Sequence, residues 1–415
     1  MKVIIIGNGA AGNQAAETLR QLSPDVQISI YAGDAEPFYS ACALPDFLAG
    51  WIPRRQLFLK TPEQYARQGI ELNSSEWVNK IDIDARKICT TRNTIKYDHL
   101  ILATGSRPLV PPVPGSNLPG NFVVKRPRDI DRLLEKRPRR AVVVGSGNIG
   151  VEVAEALELK GCEATIIEMQ QRILPRLFDP YPAGLIQKLL EAHRIKVITG
   201  EQVLEVTGKE EVQGVVTGSG PISCETVIWA AGAKPNIDLA LAAGLRIGDR
   251  GAIKVDSHMC SSHPDIYACG DCVEVIDLLS GKPTQSMLWS SAKTQAQVAA
   301  RNIMGQTVDY PGAFNLMVEE LYGVPCLAAG IRGEELPDGN SVIELNEKGA
   351  YSRIILQDGR IAGLQTVGTL DACGAIIALM KKHTGVDEIK RSIAAPYMRE
   401  KMPWLLEVER RLSAQ

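Results

Sequence analysis

The feature that most constrains the fold of this chain is a pattern that occurs twice. Val3-Ile4-Ile5-Ile6 runs into Gly7-Asn8-Gly9-Ala10-Ala11-Gly12, followed by a helical stretch over residues 13–22 and a strand-like stretch over 26–31. Ala141-Val142-Val143-Val144 runs into Gly145-Ser146-Gly147-Asn148-Ile149-Gly150, a helical stretch over 151–159 and a strand-like stretch over 164–167. Each predicts a buried strand, a glycine turn, a helix and a second strand, which is a βαβ unit. A G-x-G-x-x-G by itself is weak; following a strand and opening a helix gives it meaning. Gly7 and Gly145 permit the tight turn, and Gly9 and Gly147 lack a Cβ that would keep a pyrophosphate away from the backbone. Gly12 and Gly150 let the helix pack on the strand. Unpaired N–H groups at the helix start then face phosphate with the helix dipole behind them, and Ala10, Ala11, Asn148 and Ile149 within the two glycine turns are expected at the cofactors. The competing reading is that these glycines serve only a tight βα turn. Two such sites imply two dinucleotides, or one site that has fallen silent.

The remainder bounds the setting. A length of 415 residues suits two or three domains, and 45% apolar with 23% charged residues is globular composition. A formal net charge of −2 argues against nucleic acid or an anionic membrane as the main partner. Two short basic runs, over residues 125–128 and 136–140, read as solvated connections between domains. No apolar run approaches the roughly 18 residues that span a bilayer. The first strand starts at residue 3, which leaves no room for a leader. The nine cysteines are odd in number and scattered, as in a reducing compartment, so a cytoplasmic protein is expected.

Proline and glycine punctuation places domain crossings over residues 107–120 and near 231–236. Beyond about residue 311 the pattern changes to strand-like segments over 341–345 and 351–357. The turn Asp358-Gly359 joins the latter to residues 360–367 as a hairpin, and a helix over about 373–383 follows. The expected fold class is α/β: two Rossmann-like dinucleotide-binding domains and a carboxy-terminal α+β domain over 311–415.

The strand of the second unit ends at Glu168, 23 residues after Gly145. A carboxylate there accepts both ribose hydroxyls of NAD and repels a 2′-phosphate, and no arginine follows before Arg172, which favours NAD over NADP. The first unit departs from this rule. Its strand ends Ile30-Tyr31-Ala32, and Asp34 or Glu36 is left to substitute from the following loop.

Other segments identify the ligand of the first unit. Tyr97-Asp98-His99-Leu100-Ile101-Leu102-Ala103-Thr104-Gly105-Ser106-Arg107-Pro108 closely resembles the second fingerprint of two-dinucleotide flavoproteins, the pyridine-nucleotide disulfide oxidoreductase superfamily. Residues 227–236, with Gly232, resemble the equivalent segment leaving the NAD domain. Asp265-Ile266-Tyr267-Ala268-Cys269-Gly270-Asp271 resembles the third fingerprint. The resemblance covers residues 1 to about 310. It implies an FAD domain from 1–113 and 242–310 with an NAD domain, 114–241, inserted between them, and the tail from 311 is similar to an interface domain. It also implies that Ala103, Thr104, Gly105 and Arg107 lie at FAD, that Gly270 and Asp271 meet the ribityl chain, and that Glu152 helps to position nicotinamide. A carboxylate favoured by the start of a helix is the alternative for Glu152.

The loop Pro37-Phe38-Tyr39-Ser40-Ala41-Cys42-Ala43-Leu44-Pro45-Asp46-Phe47-Leu48-Ala49-Gly50 resembles two things. One is the S-x-x-C-x-L-P segment of coenzyme A disulfide reductases, persulfide reductases and NADH oxidases, in which the cysteine sits over the flavin and a thiolate attacks a disulfide. The other is the corresponding segment of rubredoxin and ferredoxin reductases, where Cys42 would be a small packing residue. Cys269-Gly270-Asp271-Cys272 has C-x-x-C spacing but coincides with the third fingerprint, so packing is expected of both thiols and no metal site.

These readings give a flavoenzyme using FAD and NAD(H). The expected electron partner is an iron–sulfur protein, or the iron–sulfur subunits of a 2-oxoacid dehydrogenase complex. The loop is similar to flavin subunits of such complexes, as in NADH-dependent phenylglyoxylate dehydrogenase. The alternative is a Cys42-based coenzyme A disulfide or persulfide reductase or NADH oxidase. A homodimer through the tail is implied by the superfamily, and a heteromer by the first reading. The carboxy-terminal region lacks both the tyrosine- and proline-rich segment of coenzyme A disulfide reductases and a late His-Pro pair.

Overall fold

The computed structural model describes residues 1–336, 341–347 and 349–385. The chain forms two compact units, one of residues 1–109, 125–130 and 233–313, the other of 110–124, 131–232 and 314 onward. No helix among the described residues is long and apolar enough to cross a membrane.

The first unit is built on a five-stranded sheet in the order Ile266–Ala268, His99–Leu102, Lys2–Ile6, Gln27–Tyr31, Ile70–Asn73. Every pairing is parallel, with Ile5 opposite both Ile30 and Ile101. A parallel sheet covered on both faces needs apolar residues at successive positions, and Val3, Ile4, Ile5, Leu100 and Ile101 are fully buried. The helices Ala10–Leu22 and Trp289–Ile303 pack on each other and bury the small residues Ala15, Ala16, Ala296 and Ala299. The first helix starts at Ala10, three residues before the sequence pattern places it. Glycine costs about 1 kcal/mol within a helix, so periodicity starts the helix after Gly12. Close packing of Gly12 on the turn overrides that propensity. Part of the proline-rich crossing is itself strand, with Ser106–Pro108 paired antiparallel to Ala233–Pro235.

The second unit repeats the plan. Its parallel sheet runs Lys196–Thr199, Glu163–Glu168, Arg140–Val144, Thr226–Trp229, Asn121–Phe122. The helix Asn148–Leu159 follows the glycine turn. This unit also contains an antiparallel sheet in the order Leu316–Leu321, Val324–Gly330, Arg360–Val367, Ala350–Gln357, Ser341–Glu347, and the helix Cys373–Lys381. The hairpin expected at Asp358-Gly359 is present, with both residues at positive φ (50° and 68°) as a tight primed turn requires. The hairpin of Leu316–Leu321 with Val324–Gly330 was not foreseen. Its turn residues, Tyr322-Gly323, carry a bulky aromatic in the left-handed region (φ 50°), where sequence rules do not look for one. The end of the chain, where a tyrosine- and proline-rich segment or a late His-Pro pair would stand, lies largely outside the described residues.

Candidate functional site

In the first unit the glycine turn lies at the carboxyl end of the Lys2–Ile6 strand, where open α/β sheets bind ligands. Gly7 has φ +120°, and a Cβ built on it would stand 2.0 Å from the Ala103 carbonyl oxygen. A Cβ on Gly12 would stand 2.0 Å from the Gly7 carbonyl oxygen. Both positions therefore exclude every other residue. Gly9, by contrast, has nothing within 4 Å of where its Cβ would be. It caps the helix without any side-chain bond, and the first turn holds no acid, so the donors of the first turn stay available to an anion.

The same end of the sheet gathers the other fingerprints. Gly270 has φ +86°, donates its N–H to the buried Gln295 Oε1 at 2.8 Å, and lies against Ala11. Ser106 Oγ donates to Asp271 Oδ2 at 2.7 Å, and the ammonium of Lys125 stands 3.2 Å from Ser106 Oγ and 3.9 Å from Asp271 Oδ2. Thr104 exchanges bonds with the Asn236 backbone carbonyl and side-chain amide, at 2.7 and 2.9 Å. Arg107 reaches Asn236 Oδ1 and Asp238, both at 3.1 Å. Asp34, three residues past the strand end at Tyr31, is bound by Arg126 Nε at 3.0 Å and faces Arg128 at 3.9 Å.

These contacts add ion pairs to the connection expected over residues 125–128, whose basic side chains stay partly exposed. The segment belongs to the first unit, where Lys125, Arg126 and Arg128 each face a carboxylate and the Lys125 carbonyl accepts the Tyr39 hydroxyl at 3.0 Å. Local charge patterning missed this because the partners lie far away in sequence. The one local signal was Asp129, whose carboxylate takes the N–H groups of Lys125 and Arg126.

The second unit reproduces the cradle. Gly145 (φ +101°) and Gly150 would place a Cβ 2.5 Å from the Ala230 carbonyl oxygen and 2.1 Å from the Gly145 carbonyl oxygen, while Gly147 opens onto free space. Asn148 and Ile149 begin the helix, and Gly147 caps it with no side-chain bond. Ala230-Ala231-Gly232 follows the neighbouring strand, with Gly232 at φ +105°. Glu168 is buried at the strand end. Its Oε2 accepts the Ser146 N–H at 2.9 Å and the Ser146 hydroxyl at 2.7 Å, and Oε1 accepts the Gln170 N–H at 2.8 Å. Glu152 is half-buried in the first turns of the helix. Arg172 is taken up by Glu334 and by the carbonyls of Phe178 and Pro175.

Cys42 is an exposed thiol in the turn before the short helix Leu44–Ala49. The loop ahead of it is anchored by the Ser40 N–H to the Leu57 carbonyl and the Leu59 N–H to the Phe38 carbonyl, both 2.8 Å, and Phe38 stacks on Trp289 at 5.5 Å between centroids. Cys269 and Cys272 are fully buried. Cys272 Sγ reaches the Cys269 carbonyl at 3.3 Å, and burial pushes both thiols up, so they pack and do not react. No group of three or more His, Cys, Asp or Glu among the described residues is arranged to hold a metal.

The two cradles fit dinucleotides. Each would be filled by a single Cβ on the glycine that faces open space, and each is lined with free backbone donors.

Residues 1–296 match the model of the pyridine nucleotide-disulphide oxidoreductase family. The chain is 34% identical over 393 residues to an NADH oxidase of Methanocaldococcus jannaschii, covering 89% of this chain and 88% of that protein. An NAD-dependent persulfide reductase from A. fulgidus has the same fold (TM-score 0.88, 27% identity, 94% of this chain and 78% of that one). Putidaredoxin reductase, solved in a covalent complex with putidaredoxin, also aligns (TM-score 0.85, 26% identity, 92% and 93% covered). The cofactors are FAD and NAD(H). With its paired cradles and a family match over most of its length, the chain belongs to the pyridine nucleotide-disulphide oxidoreductase family and is an FAD-dependent oxidoreductase of NAD(H).

Proposed function

We propose that the chain is an NADH-dependent reductase of small disulfides or persulfides, with FAD on the first glycine cradle, NAD(H) on the second and Cys42 as the thiol that meets substrate. The observation that carries this reading is the exposure of Cys42 within Ser40-Ala41-Cys42-Ala43-Leu44-Pro45. Burial pushes up the thiols of Cys162, Cys224, Cys269, Cys272, Cys326 and Cys373. The likeness to a persulfide reductase supports the same choice.

FAD on the first cradle would supply two-electron chemistry, accepting hydride from NADH and making the electron pair available to an acceptor. The protein's own part is binding and sulfur chemistry. The unpaired N–H groups at Gly9–Gly12 and Gly147–Gly150 hold the two pyrophosphates, Asp271 and Ser106 take ribityl hydroxyls, and Glu168 takes the ribose of NAD. The Cys42 thiolate attacks one sulfur of the substrate disulfide. A Cys42–substrate disulfide forms, one substrate thiolate leaves and takes a proton, and two electrons from NADH then free the second thiol.

A second reading passes electrons singly to an iron–sulfur protein, or to the iron–sulfur subunits of a 2-oxoacid dehydrogenase complex. The likeness to a reductase solved with its protein partner supports it. Cys42→Ser separates the two readings. Loss of NADH-driven coenzyme A disulfide or persulfide reduction, with reduction of a one-electron dye retained, supports the thiol enzyme. Retention of both activities supports the carrier.

A further inference from the structure

The two glycine loops are alike in backbone but are held from opposite sides. In the second, the residue between the first two glycines, Ser146, is fixed by the strand-end carboxylate of Glu168 through both its N–H and its hydroxyl. In the first, the residue at the equivalent position is Ala32, just past the strand Gln27–Tyr31, and an alanine has no carboxylate to do this. The equivalent residue, Asn8, is held instead from the helix side. Asn13 Nδ2 donates to Asn8 Oδ1 at 2.9 Å and lies 3.0 Å from the carbonyls of both Asn8 and Gly9. The Tyr65 hydroxyl lies 2.8 Å from Asn8 Oδ1 and 2.7 Å from Asn13 Oδ1.

Tyr65 comes from a separate short helix, Pro62–Arg67, and is 1% exposed. Behind its ring stands the ammonium of Lys60, 4.6 Å from the centroid, itself buried and paired with Glu17 at 2.9 Å. The cation holds the ring by its face while the hydroxyl holds the loop. We infer that Tyr65, acting with Asn13, is the positioning residue of the first glycine loop and replaces the strand-end carboxylate that positions the second. Pre-organised donors bind an anion more tightly because less ordering is left to binding. The clamp therefore sets affinity for the pyrophosphate-bearing cofactor on this loop. The inference rests on the reading that FAD occupies the first cradle.

The test uses the full-length protein, stripped of flavin and titrated with FAD, with Tyr65→Phe, Asn13→Ala and Gly9→Val compared with wild type. Tyr65→Phe keeps the ring over Lys60 and removes only the hydroxyl. Losing one hydrogen bond to the loop raises the FAD dissociation constant about five- to tenfold, with NADH affinity unchanged. Asn13→Ala does the same, and the double variant loses less than the product of the two. Wild-type FAD affinity in Tyr65→Phe overturns the inference, as does a parallel loss of FAD and NADH binding with a lowered melting temperature. Should Tyr65→Phe fail to fold, Asn13→Ala alone decides by the same two readouts. Gly9→Val tests the reading beneath it. If that variant keeps FAD, the cofactor does not lie on this loop. If it loses FAD while Tyr65→Phe does not, only the clamp is wrong.

Discussion

The carboxylate of Glu168 grips Ser146 by two bonds, 2.9 Å from its N–H and 2.7 Å from its hydroxyl, so the residue proposed to take the ribose of NAD also fixes the glycine loop. Removing it acts twice. Glu168→Ala leaves both Ser146 donors without a partner in a buried site and takes away the charge that rejects a 2′-phosphate. KM for NADH is expected to rise about tenfold or more, the preference for NADH over NADPH to shrink, and flavin content to stay at the wild-type level. Steady-state kinetics with both nucleotides checks this.

The open glycines make separable predictions. A β-branched side chain at Gly147 fills the space over the second helix start, so Gly147→Val should remain yellow while NADH no longer reduces it. Gly9→Val should instead come out without flavin yet still bind NADH. Absorbance of the purified variants and NADH binding by calorimetry read the two effects.

Lys125 stands beside the bonded pair Ser106 and Asp271 with its ammonium partly shielded from water. Lys125→Met leaves the Asp271 carboxylate uncompensated beside the place proposed for an anionic cofactor, and FAD affinity should fall about tenfold for the loss of a charge-assisted contact. Lys125→Arg should recover most of it. Titration of flavin-free protein with FAD measures both.

Burial lifts the Cys224 thiol to about 11 from an ordinary 9.0. A group whose folded-state pKa is raised contributes stability in full below its unfolded pKa and loses it as pH climbs through the folded value. The melting temperature should therefore decline between pH 9 and pH 11. Cys224→Ala should melt lower at neutral pH, for want of the buried sulfur, but fall less steeply over that window. Parallel slopes for the two proteins would assign the alkaline loss elsewhere.

What the sequence made legible is what repeats locally. Both strand–glycine–helix units could be read because apolar runs and glycine spacing are short-range signals, and the Asp358-Gly359 hairpin because its turn residues are the usual ones. The Leu316–Leu321 and Val324–Gly330 hairpin stayed hidden behind an aromatic turn residue. Lys125 and Tyr65 escaped for a different reason. Their importance lies in bonds to Asp271 and Asn8, residues remote in sequence, and nothing in a basic run or a lone tyrosine announces such a partner. Ala32, standing where an acid is expected, marked the first unit as different without showing what holds its loop.

Electron transfer from NADH to bound FAD underlies every step proposed for this protein. Anaerobic titration of the purified protein with NADH, followed through the visible flavin band, tests it most directly. The band should bleach with one equivalent of NADH per flavin, and addition of a disulfide should restore it. A protein that takes up no FAD, or whose flavin band NADH leaves untouched, contradicts the account.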